Sequence, residues 1–238
     1  MNSASFDHSA LAEALRERLG SPAERTIGGR RFPTQLEYGR HRGPAPPGVR
    51  PATVVLLIYP QGGRWCIPFT LRPETLSVHA GQISLPGGAR EAGESVEQCG
   101  LRELEEEIGV PAIAASILGR LSPIYVYRSN FLVQPLVAMA SRIVQFRPDR
   151  TEVERLLEIP LSLWLDPSHY DRMWVARHSL RFLTPCFCFE SYRIWGATFK
   201  VVCEFLDRTS DLIGSVEPPA PIDHNEPHLS FSARHPPS

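Results

Sequence analysis

The chain has 238 residues, 42% hydrophobic and 21% charged, which is typical of a globular protein that buries its core without disulfides. Its formal net charge is −1, so no overall positive field predicts binding to nucleic acid or to an anionic membrane. An anionic small molecule would have to be held by local charges or by a metal ion.

The cysteines and the N-terminal segment bear on location. Five cysteines without a paired framework predict a reducing compartment. No apolar run reaches the length of a membrane span, and Asp7 and Glu13 stand where a signal peptide would be apolar. Cys186 and Cys188 would share one side of a strand, so we expect buried thiols rather than metal ligands. We expect a cytoplasmic protein without a membrane or nucleic-acid partner; the oligomeric state is open, a homodimer being one alternative.

Hydrophobic periodicity and turn residues predict the elements along the chain. In order they are a helix at 9–19, a hairpin of strands at 52–59 and 64–72, a short strand at 82–85, a helix at 95–108, strands near 114–121 and 131–138, a helix from Thr151 to Leu157, strand character at 177–192 and a helix at 197–212. These elements indicate one mixed α/β domain at 51–212. An N-terminal helix and an extended lead-in occupy 1–50, and we expect the tail at 213–238 to be disordered.

The helix at 95–108 carries an acidic run. Successive helical residues turn by about 100°, so relative to Glu103 the side chain of Glu107 lies at about +40° and that of Glu106 at about −60°. The three carboxylates therefore share one stripe, whereas Glu105, at about 200°, is expected to be a solvated charge. The apolar residues form a separate stripe that we expect to face the core: Leu101, Leu104 and Ile108.

Two interpretations of the acidic stripe compete. An acidic run on a helix is usually a solvated face. Like charges at these spacings, however, disfavour a helix by about 0.2–0.5 kcal/mol per pair, and a hard divalent cation with oxygen ligands removes that repulsion. Such an ion would also polarise a phosphoryl group, activate water and neutralise a leaving phosphate. The residues around the run distinguish the two.

Residues 88–110 have the pattern Gly-x5-Glu-x7-Arg-Glu-Leu-x-Glu-Glu-x-Gly-Val, which resembles the Nudix box at every defined position. The resemblance implies the Nudix fold, an α/β/α arrangement with a mixed β-sheet sandwiched between helices. It also implies a Nudix pyrophosphatase that uses Mg²⁺ or Mn²⁺. The metal ligands it implies are Glu103, Glu106, Glu107 and the backbone carbonyl of Gly87. Glu94 and Arg102 would form an ion pair that braces the helix. Gly100, unfavourable within a helix, suggests that the helix closely approaches the sheet.

The segment from Thr70 to Gly88 resembles the additional signature of coenzyme A pyrophosphatases, as does Ile194-Trp-Gly-Ala-Thr198. The substrate-binding candidates are Arg72, His79, Gly81 and Gly88. Arg72 ends a predicted strand and could clamp a phosphate with its planar fork, whereas His79 either contacts phosphate or has a structural role in its loop. Trp195 either stacks on adenine or packs in the core. Ser77 stands where the signature has a second arginine, so ADP-ribose or another nucleoside diphosphate derivative is the alternative substrate.

The resulting hypothesis is metal-dependent attack of water on a diphosphate. With coenzyme A or its derivatives as the substrate, the products would be 3′,5′-adenosine bisphosphate and 4′-phosphopantetheine. Glu103 is the first candidate for the general base and Glu152 the second, because in this superfamily the base is a glutamate of the box or of a later loop. A non-catalytic module that senses a nucleotide is the alternative of another class. Such a module would be expected to lack a box glutamate, and all are present here.

Overall fold

The structure is a computed structural model that describes residues 8–20, 40–41, 45–74, 81–140, 144–177, 180–213 and 229–231. The elements in chain order are α1 (His8–Gly20), β1 (Arg40–His41), β2 (Arg50–Gln61), β3 (Arg64–Leu71), β4 (Ile83–Ser84), β5 (Gly87–Ala89), α2 (Val96–Ile108), β6 (Ala115–Arg120), β7 (Ile124–Val126), β8 (Phe131–Ala140), β9 (Arg155–Pro160), β10 (Tyr170–Arg177), β11 (Leu180–Phe189), β12 (Tyr192–Trp195), α3 (Gly196–Ile213) and β13 (Leu229–Phe231). Three 3₁₀ helices accompany them: Ala112–Ala114, Leu161–Leu165 and Pro167–His169. None of the helices in these ranges is long and apolar enough to cross a membrane.

The larger sheet of the described chain is mixed and has nine strands, with the backbone order β1-β7-β8-β2-β3-β4. Its central pair, β2 and β8, runs parallel from Arg50 opposite Phe131 to Ile58 opposite Met139. β5 pairs with β2, β6 with β8 and β9 with β3, each antiparallel. A smaller sheet contains β10, β11 and β12, with β13 beside β11. β5 thus brings its glycines beside the central strand, seven residues before α2 begins.

Alternate residues of β2 enter two different cores, as the two-residue period of a strand requires. One side of the sheet packs on α2; its buried residues include Val55, Leu57, Leu104, Ile108, Leu136 and Ala138. The other side packs on α1 and α3; its buried residues include Leu15, Leu19, Leu56, Ile58, Phe199, Phe205 and Leu206. The predicted α/β/α arrangement is confirmed.

α1 is tied closely to α3 and β6. Arg18 forms an ion pair of 2.6 Å with Asp211. Arg208 donates hydrogen bonds to the main-chain oxygens of Arg18 at 3.0 Å and Leu19 at 3.3 Å. A Cβ at Gly119 of β6 would lie 2.5 Å from the Cβ of Leu19. The N-terminal helix is therefore part of the same packed core as the sheet.

The helix predicted from Thr151 to Leu157 is wrong. Thr151 donates to Asp149 Oδ1 from both its backbone nitrogen and its hydroxyl, each at 2.9 Å, and so closes a turn instead of starting a helix. Residues from Arg155 onward form β9, and Leu157 lies opposite Phe69 of β3. Pairing with a distant strand outweighs the local helical pattern, which the sequence of this segment alone could not reveal.

The other predicted helices, the hairpin of β2 and β3, and the strands β4, β6 and β8 are confirmed. The strand character at 177–192 is resolved into parts of three strands, with β11 in the centre. The predicted disordered tail lies largely outside the described residues, although Leu229–Phe231 pair with β11. None of the five cysteines, all of which lie in the described ranges, forms a disulfide; Cys186 is buried, as expected, whereas Cys188 is partly buried.

Candidate functional site

Local contacts determine where α2 begins and ends. The Ser95 hydroxyl accepts a hydrogen bond from the backbone nitrogen of Gln98 at 3.1 Å, and the Gln98 side chain accepts one from the backbone nitrogen of Ser95 at 2.8 Å. This reciprocal capping box satisfies two donors that a helix start otherwise leaves open. Gly109, in the left-handed conformation with φ 72°, ends the helix. The two ends of α2, and with them the turns that carry the acidic residues, are therefore set by the local sequence.

Gly100 brings α2 close to the sheet. A Cβ at this position would lie 2.8 Å from Leu136 Cδ1 and 2.9 Å from Val55 Cγ2, closer than side-chain packing allows. The close approach that was expected from Gly100 is thus confirmed. Because the helix lies so near the strands, the side chains of its next turn reach β5.

Glu103 and Glu107 lie against the glycines of β5. Glu107 is 3% exposed, and its Oε2 accepts a hydrogen bond from the backbone nitrogen of Gly87 at 3.3 Å. Glu103 is 8% exposed, and a Cβ at Gly88 would lie only 2.3 Å from its Oε1. A larger residue at position 88 would force this carboxylate out of its present position. The two acidic side chains are therefore buried in a space that the backbone of β5 shapes.

The charges of these carboxylates are poorly compensated. Burial, with the nearby charge of Glu103 as the next cause, raises the pKa of Glu107 to about 8. Burial also raises the pKa of Glu103, although Arg102 opposes this effect. The carboxylate of Glu152, exposed in the turn before β9, contributes to raising both pKa values and so lies within electrostatic range. Such a site favours the binding of a cation.

Arg102 of α2 binds three carboxylates at once. Its guanidinium forms ion pairs with Glu94 at 2.8 Å, Glu103 at 2.8 Å and Glu106 at 2.7 Å. The hydrogen bond from Arg102 lowers the pKa of Glu94 to about 2. The side chain of Glu106 is 59% exposed, so this carboxylate points to Arg102 and solvent rather than into the buried space. The brace expected between Glu94 and Arg102 is present.

The acidic side chains of this site are suitable ligands for a divalent ion, although they do not converge on one point. Among the described residues, no three His, Cys, Asp or Glu side chains converge as a metal site, because Glu106 turns toward Arg102. Glu103 and Glu107 nevertheless supply the carboxylate oxygens that Mg²⁺ and Mn²⁺ prefer, in a pocket where their own repulsion and burial penalise the negative charge. Glu106 follows Glu103 by three residues on the same helix, which keeps it within reach as a third ligand.

Arg72 faces this acidic pair from the end of β3. Its Nη1 lies 3.9 Å from Glu107 Oε1, and its Nε is buried without a hydrogen-bond partner among the residues described. The backbone nitrogen of Gly81 donates to the Arg72 carbonyl at 3.1 Å, and that of Arg72 donates to the Gln82 carbonyl at 3.1 Å. These bonds close the base of a loop whose residues 75–80, with the candidate His79, lie outside the described residues. Arg72 thus lies beside the acidic site with an N–H group, at Nε, that has no hydrogen-bond partner among the described residues.

A cavity of about 330 Å³ opens next to Arg72, Gly87 and Gly88. Its remaining lining comes from β2, β4, β7, β8, β12 and the start of α3, and includes Ile83, Ile124, Val126, Phe131, Val133, Trp195, Ala197 and Val201. Trp195 is half-buried on the cavity wall, a position that is compatible with both predicted roles, core packing and stacking on a ligand. The sequence contained one signal of this wall, the segment 194–198, but could not bring it together with β7 and β8.

Comparison with known proteins shows that the chain is similar to Nudix proteins. A model of the NUDIX domain family matches residues 49–187, a span that includes Arg72, β5 and the whole of α2. The "Uncharacterized Nudix hydrolase NudL" of Photorhabdus laumondii is 31% identical over 134 residues, which cover 56% of this chain and 71% of that protein. Its counterpart in Yersinia enterocolitica is 35% identical over 134 residues, covering 56% and 68%. A Nudix hydrolase structure from M. smegmatis, RenU, is 24% identical with a TM-score of 0.40, covering 47% and 70%.

Proposed function

The chain belongs to the NUDIX domain family, and we propose that it hydrolyses a phosphoanhydride bond of a nucleoside-diphosphate-linked substrate between α2, β5 and Arg72. As a Nudix hydrolase it is a pyrophosphatase enzyme, of a family that generally uses divalent metal ions. The observation that carries the proposal is the buried pair Glu103 and Glu107, which lies beside the guanidinium of Arg72, a residue that also lines the cavity. A diphosphate carries the negative charge that Arg72 can bind, and the acidic pair needs a cation.

The proposed metal ligands are Glu103, Glu106, Glu107 and the carbonyl of Gly87. Their support is the burial of Glu103 and Glu107, which raises the pKa of both carboxyl groups, and the contact of Glu107 with the backbone of Gly87. Mg²⁺ or Mn²⁺ bound here would neutralise phosphate charge and lower the pKa of water. Glu106 would exchange its ion pair with Arg102 for this role, and Arg102 would keep its contact with Glu94.

The chain's own groups then have separate tasks. Arg72 would donate to phosphate oxygens from its unpaired Nε and from Nη1, and Gly81 and Gly88 would shape the backbone on either side of the substrate. His79 is proposed as a further substrate contact on the resemblance alone. The general base is proposed to be Glu103 or Glu152; Glu103 is buried within the site, whereas Glu152 is exposed and able to exchange protons with solvent.

The substrate we propose is coenzyme A or one of its derivatives, cleaved to 3′,5′-adenosine bisphosphate and 4′-phosphopantetheine. Support comes from the signature between Thr70 and Gly88 and from Trp195, whose segment resembles the same branch and lines the cavity. We also propose a cytoplasmic location. Its support is that none of the five cysteines forms a disulfide, which is typical of a protein in a reducing compartment.

A panel of diphosphates tests this function. The purified chain is incubated with coenzyme A, dephospho-coenzyme A, ADP-ribose and a dinucleoside polyphosphate, with Mg²⁺ or Mn²⁺, and the products are identified by mass. We expect coenzyme A to be cleaved with the highest kcat/KM. Preferred cleavage of ADP-ribose would contradict the substrate assignment alone. Tight binding without cleavage under either metal would contradict the hydrolase and favour a nucleotide-sensing module.

A matched pair of variants tests the acidic site. We expect Glu107→Gln to lower kcat by at least about 10³, which corresponds to about 4 kcal/mol of transition-state stabilisation. Glu105→Gln makes the same change on the same helix, at an exposed residue outside the buried pair, and should leave kcat unchanged. Near-normal turnover of the Glu107 variant would exclude the proposed role of this carboxylate.

A further inference from the structure

The cavity beside the acidic site has one charged lining residue, and the rest of its described lining is uncharged. Arg72, Gly87 and Gly88 form the end that adjoins the carboxylates. Among the described residues that line the cavity, Arg72 alone carries a formal charge. The aromatic rings of Phe131 and Trp195 and several aliphatic side chains make most of the remaining surface. A ligand that reaches past Arg72 therefore enters an apolar environment.

Two hydroxyl groups in this remainder have partners within the protein, and that of Thr53 is buried with none among the described residues. The hydroxyl of Thr198 donates to the carbonyl of Ile83 at 3.3 Å. The hydroxyl of Ser84 is 3.2 Å from that of Thr70. Moving an ionised phosphate or carboxylate out of water into such surroundings is strongly unfavourable, because beyond Arg72 the described lining offers no cation, and one neutral hydroxyl does not compensate the lost hydration. The lining therefore selects against a second charged group.

We propose that this cavity receives the uncharged half of the substrate, and that a half bearing a further phosphate remains outside it. The inference rests on the proposed function, since the cavity begins at the residues assigned to the diphosphate. For coenzyme A, the pantetheine arm would enter between Phe131 and Trp195, and the 3′-phosphorylated adenosine would stay on the solvent side. The volume of about 330 Å³ is at the lower end of the range for ligand pockets, so the cavity has room for one half of such a substrate rather than for the whole.

Calorimetric binding of two fragments to the protein in EDTA tests the assignment without turnover. The probes are 4′-phosphopantetheine, which has one phosphate on an uncharged chain, and adenosine 3′,5′-bisphosphate, which carries a second phosphate. The variant Ala197→Leu narrows the cavity from α3, whereas the control Ala112→Leu makes the same change at an exposed residue outside the cavity. We expect the Kd of phosphopantetheine to rise at least tenfold in Ala197→Leu and to be unchanged in Ala112→Leu, with the Kd of the bisphosphate altered less than twofold in both.

Equal weakening of both probes by Ala197→Leu, selective weakening of the bisphosphate, or no binding of phosphopantetheine to the wild type at millimolar concentration would each overturn the inference. Val126→Leu, which narrows the cavity from β7, replaces the α3 variant if thermal unfolding shows that Ala197→Leu is misfolded. The diphosphate panel separates the two proposals. Cleavage combined with non-selective fragment binding contradicts the cavity assignment alone, and selective fragment binding without cleavage contradicts the proposed function alone.

Discussion

Replacing Glu107 by glutamine should make the metal-free protein more stable while it removes activity. The pKa of Glu107 is about 8, against an ordinary value of 4.5. Between these pH values the folded protein keeps a proton that the unfolded chain has lost, so the free energy of unfolding falls as the pH rises. Each pKa unit corresponds to about 1.4 kcal/mol, which gives a loss of about 2.5 kcal/mol between pH 5 and pH 7. The glutamine that replaces Glu107 cannot ionise, and this loss should be absent from the variant.

Urea unfolding in EDTA at pH 5, 6, 7 and 8 measures the effect. We expect the difference between variant and wild type to grow by about 2.5 kcal/mol from pH 5 to pH 7 in favour of the variant. Adding Mn²⁺ at a hundred times its Kd should then stabilise the wild type by about 2.7 kcal/mol and the variant by clearly less. Parallel pH profiles for the two proteins, or a variant less stable than the wild type at pH 7 in EDTA, would refute the reasoning.

Three further substitutions test the packing around the site. Gly88→Ala places a Cβ 2.3 Å from Glu103 Oε1, so this carboxylate has to move and Mn²⁺ binding measured by calorimetry should weaken at least about tenfold; unchanged affinity would show that metal binding does not depend on the present position of the Glu103 carboxylate. Gly100→Ala should lower the free energy of unfolding by about 1–3 kcal/mol despite the better helix propensity of alanine, because its Cβ meets Leu136 at 2.8 Å; a more stable variant would contradict the close approach. Arg72→Lys keeps the charge but loses the planar fork, so kcat/KM should fall about tenfold without a change in thermal unfolding; full activity would exclude a bidentate phosphate contact.

The parts of the site that are encoded locally could be predicted from the sequence. The helix predicted at 95–108 is observed at Val96–Ile108, and the contacts that set its ends, at Ser95, Gln98 and Gly109, lie within it or next to it. Gly100 predicted the approach of this helix to the sheet because glycine has no other evident use within a helix. These features depend on residues a few positions apart, and the structure places them as expected.

The rest depends on contacts between distant segments. The turn at Thr151 is stabilised by Asp149, and β9 exists because β3 pairs with it. The cavity is assembled from seven elements, so no single stretch of sequence describes it. The outward position of Glu106 had a readable signal, since Arg102 precedes it by four residues and such pairs attract each other. The spacing of the three carboxylates was compatible both with Glu106 paired to Arg102 and with Glu106 beside Glu103 and Glu107.

The bonds between α1 and α3 bear on which fragment of this chain can fold. The family-matched span, 49–187, contains the chemistry but lacks both of these helices. Cutting the chain to that span would leave Leu56, Ile58 and Ile67 of the central strands open to water and would invite aggregation. The span that the family model matches is thus shorter than the span that buries both faces of the larger sheet.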